Sequence, residues 1–266
     1  MNNIFRDHPH NNRFLNKHGK KWVYKSTEDK SVQLKKFNIQ KFLQTTDLVP
    51  KCREYSSQGF LEEFIEGDSI NNHDIEKDNI IKLASACKTI HVIDVTNQIN
   101  NFLRSSIHLN NTYDPIAVYH LIIGDNRKLL LANNIDTDLL ERKLNKLKVR
   151  LASLDYRFSI IHGDLSGNNV IVTPTKEIRI IDWTDCRTDL GICDVAQFFH
   201  LTQLDKELQE TFLEEYNSQL GFGLMMQIQK IFFELYDVLH DYHQELELNP
   251  KLVKKLNLSL GKLNEY

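Results

Sequence analysis

The sequence predicts an α+β protein with two lobes, a small strand-rich N-terminal lobe and a larger, mainly helical C-terminal lobe. Short apolar runs of the strand type dominate the first part of the chain. Apolar residues recur every three or four positions over 75–155 and again over 190–260, which is the helical period. The 266 residues contain only 10 Gly and 5 Pro, so no long linker separates the lobes. We therefore place a short connector at 62–68, between lobes of 1–68 and 69–266.

The N-terminal lobe begins with two strand-like segments, residues 13–15 and 22–25, which a turn at 18–20 separates. Residues 32–43 follow, with apolar side chains at near-helical spacing, and predict one helix. A third strand-like segment, 59–65, leads into the connector. This order predicts a small sheet with a single helix.

A hairpin is predicted in the C-terminal lobe, and polar side chains flank it. Its strands are the apolar runs 170–172 and 178–181, with a polar turn between them. A turn that is symmetric about its centre would set Asn169 opposite Asp182, with Asp164 on the loop that leads into the hairpin. Three oxygen-bearing side chains that meet at one place suit a hard cation such as Mg²⁺.

Composition argues against several classes of protein. Lysine and arginine number 33 against 36 aspartate and glutamate, and a net charge of −3 is not that of a nucleic-acid-binding protein. No run reaches the ~18 apolar residues of a membrane span, and the polar N-terminus lacks the apolar core of a signal peptide. The cysteines have neither zinc-site nor disulfide-framework spacing: Cys52, Cys87, Cys186 and Cys193. We expect a cytoplasmic protein that binds neither nucleic acid nor membranes.

The residues around the hairpin carry a motif of fixed spacing. The run His162-Gly-Asp164-Leu-Ser-Gly-Asn-Asn169 is followed thirteen residues later by Asp182, within Ile-Asp-Trp, and then by Asp194 in Asp-Val-Ala. This pattern resembles the signature of the aminoglycoside phosphotransferase and choline kinase superfamily, which consists of small-molecule kinases. The resemblance implies a bilobal protein-kinase-like fold with a small antiparallel sheet in the N-lobe and a mainly helical C-lobe.

The resemblance also implies a role for each residue of the motif. Asp164 would be the catalytic residue that accepts or orients the proton of the substrate hydroxyl. Asn169 and Asp182 would hold the Mg²⁺ that bridges the phosphates. His162 and Asp194 would support the catalytic loop without touching substrate. Such residues suffice because phosphoryl transfer passes through a loose transition state, so the protein mainly positions groups and neutralises charge.

The resemblance places the nucleotide, ATP or GTP, in the N-terminal lobe. Lys25, at the end of a strand, would contact the α- and β-phosphates. The alternatives are two lysines that come just before that strand, Lys20 and Lys21. The connector would meet adenine through the backbone of Glu63, Phe64 and Ile65; the alternative is an edge strand with exposed acids.

Two departures from the family pattern concern this lobe. The loop that would cover the nucleotide, residues 7–12, contains no glycine, which makes close backbone approach to phosphate harder. The helix after Lys25 normally carries a Glu that pairs with that Lys, but residues 33–40 contain no acid, and Glu28 lies too early. We expect a group near the start of residues 28–40 to hold Lys25 instead.

These features favour a Mg²⁺-dependent kinase that transfers the γ-phosphoryl group to a hydroxyl of a small molecule. A protein kinase is disfavoured because Ser166 stands where protein Ser/Thr kinases have Lys. Only twelve residues separate Asp182 from Asp194, too few for an activation loop and a peptide-docking segment. The alternative from another class is a pseudokinase, a nucleotide-binding module without turnover, which the two departures support and the complete motif opposes.

The acceptor is suggested only by charge. Residues 205–247 contain ten Asp or Glu residues and only two Lys residues. This surplus of negative charge suits a cationic acceptor such as an aminoglycoside or an amino alcohol. Aromatic faces for a quaternary amine would come from Tyr236, Tyr242 and Trp183. A solvated acidic helix face explains the same acids equally well, and sugar or nucleoside acceptors stay open.

Overall fold

The computed structural model describes residues 13–17, 19–26, 29–56, 58–72, 75–93, 115–153, 159–216, 222–245 and 249–262. The nucleotide-covering loop predicted at 7–12 lies outside these residues, and so does Glu28.

Four short antiparallel strands form the sheet of the N-terminal lobe. They are β1 (Arg13–Lys17), β2 (Lys20–Lys25), β3 (Cys52–Arg53) and β4 (Phe60–Glu63). Their order across the sheet is β1-β2-β4-β3, so β2 and β4 are central. Lys25, at the end of β2, therefore lies beside Phe60 at the start of β4, and the end of β4, which runs into the connector, lies beside Trp22.

One helix, α1 (Lys30–Leu43), packs against this sheet. It begins after Asp29, whose carboxylate accepts hydrogen bonds from two backbone N–H groups of the first turn at 2.8 and 3.2 Å. The Phe37 ring meets Phe60 of β4 edge-on, with centroids 5.5 Å apart. Four polar residues of α1 are buried along with its apolar residues Ile39 and Leu43: Gln33, Lys36, Asn38 and Gln40. A helix face of this kind points to polar partners inside the protein.

Seven further helices are described, and they build the larger lobe. They are α2 (Lys77–His91), α3 (Pro115–Ala132), α4 (Thr137–Ser153), α5 (Ile192–Thr202), α6 (Lys206–Tyr216), α7 (Phe222–Glu245) and α8 (Pro250–Lys262). Their buried apolar side chains, with large members such as Phe198 and Phe212, form one core, and Trp183 and two residues of α1, Ile39 and Leu43, join the same core. Among the helices in the described part of the chain, none is both long and apolar enough to cross a membrane.

Two small antiparallel sheets carry the predicted motif. One contains β5 (Asp68–Ser69), β7 (Val170–Val172) and β8 (Ile178–Ile180) in that order, and the other pairs β6 (Ser159–Ile161) with β9 (Arg187–Asp189). The motif thus occupies the loop from β6 to β7 and the segment after β8.

The register of the β7–β8 hairpin differs by one residue from the predicted register. Val172 pairs with Ile178, so the predicted pairing of Asn169 with Asp182 is wrong. The cause is the turn: beyond this pair, the N–H of Thr173 donates to the carbonyl of Glu177 at 2.9 Å, which leaves three residues, 174–176, and the last of them, Lys176, has a φ of +61°. Hairpin loops of three residues commonly end in a left-handed residue, and an odd loop moves the centre of symmetry by half a residue.

Gly67 joins the connector to this hairpin at very close range. Its φ is +144°, which disfavours any side chain, and a Cβ atom there would lie 2.2 Å from the carbonyl oxygen of Val172. The next residue, Asp68, pairs with Val172 in the sheet. The end of the connector is therefore pressed directly onto β7.

Candidate active site

The loop between β6 and β7 is closed by the side chain of Asn169. Its amide Nδ2 donates to the backbone carbonyl of Asp164 at 2.8 Å and to the Asp164 carboxylate Oδ2 at 3.2 Å. The amide of Gln197 donates to the other carboxylate oxygen at 3.4 Å. Because neutral amide donors hold it, the Asp164 carboxylate is oriented and still has lone pairs to accept a further proton.

Asp182 follows β8 in a left-handed backbone conformation, with a φ of +61°. Residues other than glycine adopt it rarely, and often at functional sites. The buried Trp183 fixes the segment, since its indole N–H donates to the carbonyl of Ile180 at 2.9 Å. The Asp182 side chain is 47% exposed. Its Oδ1 accepts from the Lys36 ammonium at 2.6 Å and from the Thr184 hydroxyl at 2.8 Å.

His162 and Asp194 hold the loop through backbone groups. The Asp194 carboxylate accepts the N–H of His162 at 2.6 Å and that of Gly163 at 2.9 Å. Nδ1 of His162 accepts the N–H of Asp164 at 3.2 Å, so Nε2 carries the proton and donates to the carbonyl of Ile181 at 2.8 Å. His162 thereby ties the loop to the segment that follows β8.

Asp194 is buried and is also bonded to α2. Its Oδ2 lies 3.2 Å from Nε2 of His91, whose Nδ1 is bonded to the Tyr216 hydroxyl at 2.7 Å. Burial alone would raise the pKa of Asp194. The hydrogen bond and electrostatic attraction of His91, together with the electrostatic effect of His162 and the N–H of Gly163, outweigh burial and hold that pKa below its ordinary value.

Lys25 reaches the same cleft from β2. Its Nζ lies 3.6 Å from Oε1 of Glu62, a β4 residue that is 4% exposed. Its charge also contributes to lowering the pKa of Asp182. Among the described residues, the carboxylate that pairs with Lys25 comes from β4 and not from residues 29–40, which departs from the expected partner near the start of residues 28–40.

The other two lysines of β2 turn toward the connector. Lys20 pairs with the side chain of Glu63 at 3.3 Å, and the Lys21 ammonium lies 3.9 Å from the centre of the Phe64 ring. The N–H of Phe64 donates to the carbonyl of Lys21 at 3.0 Å. Among the described residues, nothing accepts a hydrogen bond from the N–H of Ile65, so this group is available to a ligand.

The two aspartates of the cleft differ in their electrostatics. Burial raises the pKa of Asp164, and the charges of Asp185 and Asp182 add to this rise against the opposing effect of His162. Burial would also raise the pKa of Asp182, but the charge and hydrogen bond of Lys36 hold it well below its usual range. Asp182 is thus the more strongly anionic of the two.

The available oxygen atoms fit a divalent cation that is completed by phosphate and water. Asn169 uses its Nδ2 toward Asp164, which leaves its amide oxygen on the other side, and Asp182 keeps its Oδ2. Within the described ranges, no group of three or more His, Cys, Asp or Glu could hold a metal by itself. Mg²⁺ typically takes one or two carboxylates together with substrate phosphates.

The two lobes and the cleft between them form a protein-kinase-like fold. Comparisons with known proteins support this assignment. The family model of choline/ethanolamine kinase matches residues 12–247. The chain therefore belongs to the choline/ethanolamine kinase family, a family of small-molecule kinases. No curated protein matches the sequence.

Solved structures share the fold at low sequence identity. The choline kinase LicA from Streptococcus pneumoniae is 18% identical, with a TM-score of 0.62 over 94% of this chain and 89% of its own. A Plasmodium vivax ethanolamine kinase is 16% identical, with a TM-score of 0.65 over 98% and 81%. The aminoglycoside phosphotransferase APH(2'')-Ib is 16% identical, with a TM-score of 0.60 over 97% and 93%. The predicted superfamily and bilobal α+β fold class are confirmed.

Three residues of the cleft were not predicted from the sequence, namely Lys36, Gln40 and Glu62. Lys36 and Asp182 are 146 residues apart in the chain, and no local pattern connects them. The one available signal was the polar character of residues 33–40 at positions that a helix would bury.

Proposed function

We propose that this protein is a Mg²⁺-dependent kinase that transfers the γ-phosphoryl group of ATP or GTP to a hydroxyl group of a small molecule. The observation that carries the proposal is the direct contact of Asn169 with Asp164, in the cleft where Asp182 and Lys25 also lie. Neighbouring structures bound to AMP, ADP or GDP support a nucleotide in this fold.

In this proposal, Asp164 accepts or orients the proton of the acceptor hydroxyl, and its raised pKa suits a group that exchanges a proton. Asn169 and Asp182 hold Mg²⁺, which when bound would neutralise phosphate charge. Lys25 contacts the phosphates as a compact cation. His162 and Asp194 keep the loop in position through its backbone, so they act without touching substrate.

The backbone of Glu63, Phe64 and Ile65 is proposed to meet the purine, and the free N–H of Ile65 supports this. We also propose that the lobe boundary lies at residue 68. Residues 1–68 would then bind the nucleotide, and residues 69–266 would supply the catalytic loop and the acceptor cleft.

For the acceptor, we propose a cationic alcohol, with choline and ethanolamine first and aminoglycosides second. Family membership and the neighbouring structures support this order. Asp185 supports a positively charged acceptor, because it is exposed and its carboxylate is close enough to raise the pKa of Asp164. Negative potential beside the catalytic loop attracts a cationic substrate.

The second candidate is a nucleotide-binding protein without turnover. It is favoured by the Lys36–Asp182 ion pair, which already neutralises the carboxylate that would hold the metal.

One experiment separates the candidates. Purified protein with Mg²⁺ and ATP or GTP is incubated with choline, ethanolamine, kanamycin or a sugar panel, and nucleoside diphosphate and phosphorylated product are quantified by mass spectrometry. Asp164→Asn is the inactive control, and Glu207→Gln, on the exposed face of α6, is the matched neutral control. Nucleotide binding without any product in the whole panel would favour the second candidate.

A further inference from the structure

Two of the buried polar side chains of α1 are directed at the cleft, whereas Gln33 donates to the carbonyl of Ser56 at 3.0 Å. Gln33, Lys36 and Gln40 are 1%, 6% and 0% exposed, and their spacing places them on one side of the helix. Lys36 bonds Asp182 and Gln40 bonds Glu62, at 2.6 Å in each case. The helix therefore contacts both sides of the cleft with side chains that carry no negative charge.

Glu62 lies where it can reach both the helix and β2. It pairs with Val23 of β2 and with Cys52 of β3, so it stands on a central strand. Lys25 pairs with Phe60, two residues before Glu62. Because side chains alternate along strands, Glu62 and Lys25 are diagonal neighbours on one face of the sheet, within reach of long side chains.

Each carboxylate oxygen of Glu62 has its own partner. Oε2 accepts from Gln40 Nε2 at 2.6 Å, and Oε1 lies 3.6 Å from the Lys25 ammonium. A buried carboxylate is costly unless it is paired and hydrogen-bonded. Among the described residues, Oε1 of Gln40 has no hydrogen-bond partner. The bond from Nε2 of Gln40 to Glu62 is therefore what holds this buried amide in place.

Lys36 explains why a helix carboxylate would be unfavourable in this chain. A Glu at position 36 would place its charge against Asp182, which Lys36 now approaches to 2.6 Å. Like charges at such a distance repel. With Lys36 bonded to Asp182, position 36 of the helix cannot supply the partner of Lys25.

We propose that Glu62, held by Gln40, is the positioning residue that keeps Lys25 aimed at the phosphates of the nucleotide. The inference rests on the proposed function, since it concerns the same cleft. The carboxylate that orients the phosphate-binding lysine is supplied by the sheet, and the helix supplies the amide that fixes it.

A double-mutant cycle on nucleotide binding tests this role without knowledge of the acceptor. The Kd of ATP and of GTP is measured with Mg²⁺ for wild type, Glu62→Gln, Lys25→Ala and the double variant. Glu62→Gln should weaken binding about tenfold, the effect of one lost charge-assisted contact. In the Lys25→Ala background, the same change should alter Kd by less than about twofold, because Glu62 acts through Lys25.

The control is Glu54→Gln, which removes an exposed acid that pairs with Lys17 in the same lobe and should leave Kd within about twofold of wild type. Equal losses from Glu62→Gln in both backgrounds would mean a structural role and overturn the proposal. So would an unchanged Kd in Glu62→Gln while wild type binds. If wild type binds neither ATP nor GTP, the proposed function itself fails and this inference fails with it.

A transposed variant, Gln40→Glu with Glu62→Gln, tests the charge separately from the position. It keeps one carboxylate and one amide at the same 2.6 Å contact, with the carboxylate now on the helix. Because the carboxylate then leaves the position 3.6 Å from the Lys25 ammonium, Kd should stay about as weak as in Glu62→Gln. Recovery to the wild-type Kd would show that the position of the carboxylate on β4 does not matter, and would contradict the proposal.

Discussion

Replacing Asp194 with asparagine should destabilise the C-terminal lobe, because this carboxylate is the shared acceptor of three donors. Its side chain is 3% exposed, and it accepts the N–H groups of His162 and Gly163 as well as Nε2 of His91. Asparagine has the same shape but one acceptor oxygen in place of two. At least one buried donor then faces an NH₂ group, and the other bonds lose their charge.

The size of the effect follows from these contacts. Hydrogen bonds to a charged acceptor contribute about 1.5–3 kcal/mol each, and breaking a buried charge pair costs about 3–5 kcal/mol. We expect the free energy of unfolding to fall by about 4 kcal/mol, which corresponds to a decrease in Tm of roughly 8–16 °C for a chain of this size.

Asp189 provides a matched control, because it is equally buried but its pKa is shifted the other way. Burial raises the pKa of Asp189 more than Arg187 and the N–H of Leu190 lower it. The charged form of Asp189 is therefore unfavourable in the fold, and Asp189→Asn should cost less than about 1.5 kcal/mol.

The two variants should also respond to pH with opposite signs. The contribution of Asp194, whose folded pKa is lowered, is present above its unfolded pKa of about 3.9 and is lost as pH falls through the folded value. The penalty of Asp194→Asn should therefore shrink from about pH 6 to about pH 3. Asp189, whose pKa is raised, contributes stability below its unfolded pKa, and this contribution is lost as pH rises. The penalty of Asp189→Asn should therefore grow as pH falls from about 6 to about 3.

The assay is urea unfolding followed by tryptophan fluorescence, with thermal melts as a second measurement. If Asp194→Asn is no more destabilising than Asp189→Asn at neutral pH, the three-donor description of Asp194 is incorrect.

Three further predictions concern the cleft. Asp164→Asn should lower kcat by ~10²–10⁴ while nucleotide Kd stays within a few-fold, because ground-state phosphate contacts do not use this carboxylate; normal turnover would exclude Asp164 as the base. Asp182→Ala should remove the Mg²⁺ dependence of nucleotide binding, and Asn169→Ala should weaken it less, since an amide is the weaker ligand; an unchanged Mg²⁺ titration in Asp182→Ala would contradict the metal site. Lys36→Met should lower the Mg²⁺ concentration for half-maximal nucleotide binding by about fivefold, because Asp182 loses its competing cation, and a higher requirement would show that Lys36 assists the metal instead.

The fold class and the superfamily were predictable because the motif is contiguous. The run from His162 to Asn169 and the short hairpin after it are local features, and local spacing survives in sequence. The helical period over most of the C-terminal lobe predicted its character for the same reason. These features depend on neighbours in the chain and little on how distant segments pack.

The hairpin register was not predictable because it depends on one backbone torsion. Lys176 adopts a positive φ, which only Gly, Asn or Asp would have signalled. The pairing of Lys25 with Glu62 could not be predicted for another reason. It depends on the diagonal relation of two strands and on the helix packed over them, and a search restricted to acids in the helix could not find it.

The close packing of Gly67 on β7 limits how the lobes can move. Because a Cβ atom at Gly67 would lie 2.2 Å from the carbonyl oxygen of Val172, the end of the connector and the hairpin that leads to Asp182 have no clearance to slide past each other. An opening of the cleft that keeps this contact in place would pivot before Gly67, within residues 64–66, the segment proposed to meet the purine. A bound base would then sit on the hinge itself and stiffen it, which couples nucleotide occupancy to the angle between the lobes.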